Sequence, residues 1–289
     1  MARKSPRSRR RAAPASTLPK KRRARATPGA RGNGAAAGLP RARHATSGAR
    51  ALARIKGTAA TRTKARPATP RRRRFTPPDL ERVTAVLSIL ARLYPEATTA
   101  LNFKNPFQLL VATILSAQCT DERVNQVTPA LFQRYPDPKA FASARRDDLE
   151  AMIRPTGFFR NKAKAIMSCS QDIVAQHGGE VPRTLEELTA LHGVGRKTAN
   201  VVLGNAFDIP GLVVDTHVGR VSRRLGLTDQ TDPVKVEHAV MQIVPRENWT
   251  LFSHWLILHG RRVCIARKPR CSICPLLPHC PQVGVTVSQ

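Results

Sequence analysis

Residues 191–202 read LHGVGRKTANVV and are the most informative stretch in the middle of the chain. Two glycines one residue apart, Gly193 and Gly195, predict a tight turn between a helix that ends at Leu191 and a helix that begins near Arg196. Backbone N–H groups at the start of a helix form an anion site. The pattern therefore predicts a helix-hairpin-helix element that grips a DNA phosphate without reading base sequence. The alternative is an ordinary helical turn, but the flanking helical signals and the basic pair after Gly195 favour DNA binding.

Lys197 stands at the start of the second helix of this hairpin. One interpretation is a phosphate contact, and the other is a nucleophile whose neutral amine attacks the sugar C1′ and forms a Schiff base. With an ordinary pKa of about 10.4, only about 0.04% of a lysine is neutral at pH 7. The helix N-terminus and the neighbouring Arg196 both disfavour the ammonium form, which leaves the two interpretations level on the residues alone.

Asp215 follows an apolar run in the stretch VVDTHV, residues 213–218. An aspartate there is a good N-cap for the helix that continues through Val218. It also suits a carboxylate that faces the sugar, where it stabilises positive charge at C1′ and helps to deprotonate the attacking group. The two roles are compatible.

Four of the six cysteines are gathered near the C-terminus with six, two and five residues between them: Cys264, Cys271, Cys274 and Cys280. Four cysteines at short spacing hold zinc or a [4Fe–4S] cluster. Only one Cys-x2-Cys pair is present, whereas a zinc ribbon usually has two, so an iron–sulfur cluster is favoured. Disulfides are the remaining alternative. The loop of residues 265–270 carries three basic side chains, which a structural cluster at this place would present to a phosphate backbone.

Apolar residues recur at helical spacing through the body of the chain, and no strand or hairpin pattern interrupts them. Thr76-Pro77-Pro78-Asp79 and Asn105-Pro106 are helix start signals, and Thr184 to Glu187 forms a capping box. Further helices are predicted over residues 121–134, 146–153, 160–176, 196–206, 216–225, 233–244 and 247–260. The fold class is therefore predicted to be all-α.

Charge divides the 289-residue chain into two parts. Residues 1–78 contain 24 Lys and Arg and no Asp or Glu, whereas the remaining residues contain 25 basic and 19 acidic side chains. Residues 1–75 have a low-complexity composition that cannot bury a core, so they are predicted to be a disordered basic arm. The arm suits non-specific DNA tethering; a solubilising extension or an organellar transit peptide are its alternatives. No membrane span or secretory signal is predicted.

Four motifs in the same order closely resemble the endonuclease III family of helix-hairpin-helix DNA glycosylases. They are LHGVGRKTANVV at 191–202, VVDTH at 213–217, HWLILHG at 254–260 and the 6-2-5 cysteine spacing. The similarity extends from about Asp79 to Cys280. Each motif alone is modest, but the ordered set is specific.

The resemblance implies a two-lobed all-α fold that binds double-stranded DNA in the cleft between its lobes. One lobe is a six-helix domain of residues 100–212; the other combines residues 79–99 with 213–289 and carries a [4Fe–4S] cluster on the four cysteines. Lys197 is then the Schiff-base nucleophile and Asp215 the essential carboxylate. The implied substrates are oxidised or ring-saturated pyrimidines and abasic sites, flipped from the duplex and cleaved by β-elimination. A monomer in the bacterial cytoplasm, on the nucleoid, is expected, or in an organelle or nucleus for a eukaryotic source.

The resemblance also assigns DNA contacts. Gln118 matches the glutamine that fills the gap left by the flipped base, and Phe158 stands where the family often has a leucine. An aromatic wedge still fills a base step, but its preference for the opposite base is open. His192 stands where proline is usual, which is expected to loosen the turn slightly and to add a phosphate contact. The other expected DNA contacts are Gly193, Gly195, Arg196, Thr198 and His217.

Two other functions compete with this interpretation. An adenine-specific mismatch glycosylase resembles the same family, but it lacks the hairpin lysine and carries a further C-terminal recognition domain. Lys197, and the nine residues after Cys280, count against it. A non-enzymatic DNA-binding protein needs only the basic arm and the hairpin, and it leaves Asp215 and the four cysteines unexplained.

Overall fold

A computed structural model describes residues 75–289 of the chain. Residues 1–74, which contain nearly all of the predicted basic arm, lie outside the described residues. The disorder of that arm therefore stays a prediction.

Residues 75–289 form eleven α-helices and no β-strand, as the helical periodicity predicts. In chain order, the helices are α1 (Leu80–Leu93), α2 (Pro106–Leu115), α3 (Asp121–Arg134), α4 (Pro138–Ala142), α5 (Arg146–Ile153), α6 (Phe159–Gln176), α7 (Leu185–Ala190), α8 (Arg196–Ala206), α9 (Thr216–Arg224), α10 (Pro233–Met241) and α11 (Trp249–Arg262). Short 3-10 turns occupy Arg154–Thr156, Arg246–Asn248, Cys271–Ile273 and Leu277–His279.

The helix start signals in the sequence act as N-caps in the structure. The carboxylate of Asp79 accepts the N–H of Arg82 at 2.7 Å, and the amide oxygen of Asn105 accepts the N–H of Gln108 at 2.9 Å. Such bonds satisfy backbone donors that a helix start leaves free. Half of the predicted capping box forms at Thr184: its hydroxyl accepts the N–H of Glu187 at 3.2 Å, and the Glu187 carboxylate accepts that hydroxyl at 2.7 Å in place of the Thr184 N–H.

The helices of the structure differ from the predicted helices in two details. The helix predicted over residues 233–244 ends at Met241, and the following helix starts only at Trp249, because Pro245 and a 3-10 turn separate them. A five-residue helix, α4, has no counterpart in the prediction; Asp137 caps it by accepting the N–H of Ala140 at 2.8 Å. With α4, the described segment 100–212 contains seven helices, one more than the resemblance implies.

The buried side chains form two hydrophobic clusters, one for each lobe. The first runs from Leu101 to Leu203 and joins helices α2 to α8. Helix α2 lies at its centre, since seven of its ten residues are buried. A helix that is apolar on nearly every side belongs inside a core.

The second cluster joins α1 to α9, α10 and α11, and it reaches Leu276 in the cysteine-rich segment. The N-terminal helix thus packs with the C-terminal region, on the side of the molecule that carries the cysteines. Close packing of α9 on α11 explains a glycine in the HWLILHG motif. A Cβ at Gly260 would lie 3.0 Å from the Cβ and the Nδ1 of His217.

No helix within residues 75–289 is long and apolar enough to cross a membrane.

Candidate functional site

A cleft of about 310 Å³ brings together side chains from both lobes. Lys197 and Thr198 line it from the start of α8, and Gln118 lines it from the loop after α2. Asp215 and His254 line it from α9 and α11 on the other lobe. The predicted nucleophile and the predicted carboxylate therefore open into one cavity.

The turn between α7 and α8 has the backbone of the predicted hairpin. Gly193 has a φ of +77°, and a Cβ there would lie 2.7 Å from the Cβ of Ala165 on α6. The N–H of Val194 closes the turn by donating to the carbonyl of Leu191 at 3.1 Å. Only glycine tolerates this combination of positive φ and close approach.

Gly195 differs from Gly193 because it has an ordinary φ of −90°, and a Cβ at Gly195 would meet nothing within 4 Å. As the N-cap of α8 it has no side chain to occupy the free N–H groups of the first turn. Uncapped N–H groups at a helix start, here beside Lys197, are the donors that bind an anion such as a phosphate.

Lys197 is exposed, and none of the ion pairs among residues 75–289 involves its amine. Its neighbour Arg196 forms an ion pair with Glu237. Both carboxylate oxygens of Glu237 on α10 lie within 3.0 Å of the Arg196 guanidinium, and the Glu237 side chain is only 7% exposed. Hydrogen bonding to Glu237 raises the pKa of Arg196. The pair offsets much of the positive charge that was expected to act on Lys197.

Asn200 extends this contact one turn further along α8. Its side-chain amide donates to the Glu237 carboxylate at 3.2 Å and to the carbonyl of Leu212 at 3.0 Å. Glu237 is therefore a buried acceptor for two residues of α8, one on either side of the turn that carries Lys197.

Asp215 lies at a position compatible with both of the roles predicted for it. Its Oδ1 accepts the N–H of Val218 at 2.8 Å, so it is the N-cap of α9. The same half-buried carboxylate lines the cleft that Lys197 lines. A cap bond uses one lone pair of one oxygen, which leaves acceptor capacity for a group in the cleft.

The two predicted gap-filling residues share an unusual backbone conformation. Gln118 has a φ of +52° and Phe158 a φ of +47°, both in the left-handed region that side chains rarely adopt. Phe158 is 64% exposed, which is rare for a phenylalanine that serves only packing. Gln118 is exposed and lines the cleft. Strained residues that persist in a fold often occur at ligand sites.

His192 and His217, two residues expected to support DNA binding, contact other side chains of the protein. His192 does not loosen the turn as expected, because its N–H and its ring Nδ1 both bond to Asp172 on α6, at 2.9 and 2.6 Å. His217 packs between α9 and α11, with its Nδ1 3.1 Å from the guanidinium of Arg220, and it does not line the cleft.

Three ionisable residues of the cleft were not predicted. Asp121 and Arg261 form a 3.3 Å ion pair that joins the two lobes at the cleft. The Nε2 of His254 donates to the Asn205 amide oxygen at 2.8 Å, and burial lowers the pKa of His254. The HWLILHG motif contains His254, but nothing in its spacing indicates which helix face meets the cleft.

All four clustered cysteines line one apolar cavity, together with Arg224 and His259. The guanidinium of Arg224 donates to the Sγ of Cys264 at 3.4 Å and to the carbonyl of Ile265 at 2.7 Å. All six cysteines of the chain are free, so the disulfide alternative is not realised. Within residues 75–289, no three His, Cys, Asp or Glu side chains are gathered closely enough to hold a single metal ion.

The family model and two similar relatives indicate the same family for this chain. Residues 111–246 match the model of the HhH-GPD superfamily base excision DNA repair proteins. Endonuclease III of Synechocystis sp. is 57% identical over 202 residues, which cover 70% of this chain and 92% of that protein. Endonuclease III of Bacillus subtilis is 47% identical over 203 residues, which cover 70% and 93%.

Solved structures agree. A trapped covalent intermediate of endonuclease III with DNA is 43% identical, with a TM-score of 0.68 over 71% of this chain and 97% of that one. A non-covalent endonuclease III–DNA complex has a TM-score of 0.67 and covers 71% and 96%. A thermostable thymine-DNA glycosylase, 20% identical with a TM-score of 0.64, shares the fold.

Proposed function

The chain belongs to the endonuclease III family, and from this membership and its cleft we propose that it is a bifunctional DNA glycosylase and abasic-site lyase of base excision repair. The observation that carries the proposal is the shared cleft: Lys197 from one lobe and Asp215 from the other open into the same cavity. An amine and a carboxylate at one sugar suffice both to remove the base and to cleave the strand.

In the first step, the neutral amine of Lys197 attacks C1′ of the damaged nucleotide. The glycosidic bond breaks and the base leaves with its electron pair and takes up a proton. The Asp215 carboxylate stabilises the positive charge that develops at C1′ and accepts a proton from the attacking amine. Opening of the sugar ring then gives the Schiff base.

In the second step, the Schiff base draws electrons from C2′, a C2′ proton is lost, and the C3′–O bond breaks. The strand is cut 3′ to the abasic site, and water releases Lys197. Hydrolysis of the imine by water needs no further group from the chain. The same lysine thus serves both reactions.

For DNA binding, the turn at Gly193, the N-cap at Gly195 and the first-turn N–H groups of α8, including that of Thr198, suit a phosphate. Gln118, which lines the cleft, and Phe158 are both exposed, and they suit the gap left by a flipped base. Arg196 forms an ion pair with Glu237, and His217 contacts the guanidinium of Arg220. These two residues would therefore support the DNA contacts together with those partners. Flipping costs a few kcal/mol, which stacking of the inserted side chains offsets.

The substrates are oxidised or ring-saturated pyrimidines and abasic sites in double-stranded DNA, handled by a monomer with the two lobes predicted from the sequence. Bacterial endonuclease III relatives support a place of action on the DNA of a bacterial cytoplasm.

Cys264, Cys271, Cys274 and Cys280 hold a [4Fe–4S] cluster in this proposal. Their fit rests on the shared apolar cavity and on thiols that no disulfide consumes. Burial raises the pKa of the Cys274 and Cys280 thiols, and the positive charge of bound iron would stabilise their thiolates. The cluster would supply rigidity to the loop that exposes Arg267, Lys268 and Arg270. Iron and sulfide contents of the purified chain test this, and Cys274→Ser should lower both.

The function is tested by borohydride trapping on a duplex that contains thymine glycol, with the natural chain beside Lys197→Ala. We expect a covalent adduct and strand cleavage with the natural chain only. Base release without an adduct would make the protein a monofunctional glycosylase. Binding without base release would reduce it to a DNA-binding protein.

A further inference from the structure

Helix α6 contains a buried lysine that the proposed mechanism does not use. Lys162 is only 5% exposed, although lysine is almost never buried without a charged partner. No ion pair within the described residues involves it. Its Nζ instead donates to two backbone carbonyls, those of Leu115 and Thr156, each at 2.8 Å.

The two carbonyls precede the two gap-filling residues. Leu115 is the last residue of α2, three positions before Gln118, and Thr156 ends a 3-10 turn two positions before Phe158. The backbone N–H of Lys162 also donates to the carbonyl of Phe158 at 3.1 Å. One residue therefore holds the start of the Gln118 loop and both flanks of the Phe158 turn.

Both loops need such a restraint. Gln118 and Phe158 have positive φ values, and strained backbone persists only where the surroundings hold it. At the end of α2 the N–H of Cys119 donates to Ser116, so it is not available to the carbonyl of Leu115. The Lys162 ammonium fills that place, and a cation at a helix C-terminus is favourable.

The location of the ammonium is costly for the fold. Burial lowers the pKa of Lys162, and the nearby Cys119 only partly opposes this. A neutral polar or apolar residue would fill the space without the free-energy cost of removing a charged group from water. The two carbonyls that it joins, 41 residues apart in the chain, belong to the two loops that would enter the DNA.

We propose that Lys162 is a positioning residue that fixes the spacing of Gln118 and Phe158, so that both side chains enter the gap left by the flipped base together. The inference rests on the proposed function. Lys162 touches neither the DNA nor Lys197, and its effect passes through the two loops. It should therefore matter only for substrates from which a base must be extruded.

The test compares Lys162→Met with Lys164→Met in the full-length chain. Lys164 is an exposed lysine two residues further along α6, so its variant controls for the loss of one charge. Each protein is assayed on a duplex with thymine glycol and on a single strand with a preformed abasic site, where nothing has to be extruded. The ratio of the two rates cancels any loss of folded protein, because both rates come from one preparation.

We expect Lys162→Met to lower the duplex-to-single-strand ratio about 10- to 100-fold, since a misplacement of about 1 Å at a reacting site costs about this much. Lys164→Met should leave the ratio unchanged. Equal losses on both substrates would assign Lys162 a structural role only and overturn the inference. Failure of the natural chain to cleave either substrate would instead refute the proposed function.

A second comparison removes the dependence on one variant. In a chain that already carries Gln118→Ala and Phe158→Ala, Lys162→Met should reduce duplex cleavage by no more than about 2-fold, because residues that act through one another are not additive. An undiminished loss in that background would contradict the inference. Lys162→Gln, whose amide keeps one carbonyl bond, should fall between the natural chain and Lys162→Met in both assays.

Discussion

The carboxylate of Asp172 on α6 binds His192 of the hairpin twice, through the backbone N–H at 2.9 Å and the ring Nδ1 at 2.6 Å. Together with the contact of Gly193 on Ala165, this fixes the hairpin to α6 at two places. A proline at position 192 has no backbone N–H and no imidazole, so it cannot make either bond. The hairpin of this chain is thus held by hydrogen bonds where the family uses a rigid residue.

Asp172→Asn should lower the free energy of unfolding near pH 7 by about 1 kcal/mol, at the low end for a charged hydrogen bond because His192 is exposed. Burial raises the pKa of Asp172, but the backbone and side-chain bonds from His192 outweigh burial, so the pKa lies below its usual value. A lowered carboxyl pKa stabilises the fold above the unfolded value of about 3.9, and the contribution is lost as the pH falls through the folded value.

Denaturant unfolding of the natural chain and of Asp172→Asn, between about pH 3 and pH 7, measures the difference in their free energies of unfolding. It should be full near pH 7 and shrink toward about pH 3. His192→Ala keeps the backbone bond and should cost less than Asp172→Asn at neutral pH. A difference that does not change with pH would show that the Asp172 charge is not what holds the hairpin.

The two hairpin glycines should respond differently to alanine. Gly193→Ala places a Cβ 2.7 Å from Ala165 at a φ of +77°, so it should destabilise the fold by about 1–3 kcal/mol. Gly195→Ala adds a Cβ in open space at an ordinary φ, so stability should stay within about 0.5 kcal/mol. Because that Cβ faces the phosphate site, Gly195→Ala should still weaken DNA binding. Unfolding midpoints and binding to an abasic duplex separate the two effects; equal unfolding midpoints would contradict the assignment.

Asp215 allows the cap and the chemistry to be separated. Asparagine is as good an N-cap as aspartate, so Asp215→Asn should retain stability, whereas Asp215→Ala should lose about 1 kcal/mol. Both variants lack the carboxylate and should lose about 10²- to 10⁴-fold in the rate of adduct formation, as expected for a lost proton acceptor. The measurement is single-turnover borohydride trapping beside thermal unfolding. An Asn variant with the full natural rate would restrict Asp215 to its capping role.

Phe158 should show a conflict between stability and activity. Phe158→Gly relieves a left-handed conformation that costs a side chain about 1–2 kcal/mol, and the flexibility of glycine in the unfolded chain offsets about half of this. Its free energy of unfolding should therefore equal or exceed that of the natural chain. Cleavage of duplex substrate should fall about 10-fold or more, because the wedge that offsets the cost of flipping is gone. Phe158→Leu, which restores the family residue, should stay active. Full activity in the glycine variant would remove Phe158 from the DNA contacts.

Local sequence signals were sufficient for much of this fold and site. Caps such as Asp79, Asn105 and Thr184 act within three residues of their own position, so the chain near them specifies the helix start. The Gly193 turn and the Asp215 cap are local in the same way. The two-lobed all-α fold is confirmed by the structure and by the endonuclease III relatives.

The partners that hold the site are remote in sequence and were not predictable. Lys162 meets Leu115 across 47 residues, Arg196 meets Glu237 across 41, and Arg261 meets Asp121 across 140. Nothing in the local sequence around Lys162, Glu237, Arg261 or Asp121 distinguishes it from an ordinary surface charge. Their pairing depends on how the helices pack, which periodicity does not encode.

The buried Glu237 has a consequence for how this protein can be recombined with its relatives. It lies on the lobe that carries Asp215 and the cysteines, yet it holds Arg196 and Asn200, the residues around Lys197 on the other lobe. Lys197, the proposed nucleophile, is therefore anchored to the lobe that carries Asp215, the proposed catalytic carboxylate. A chimera that exchanges one lobe must keep the acid at 237 matched to the basic and amide side chains at 196 and 200, or its two halves will fold and still fail to align.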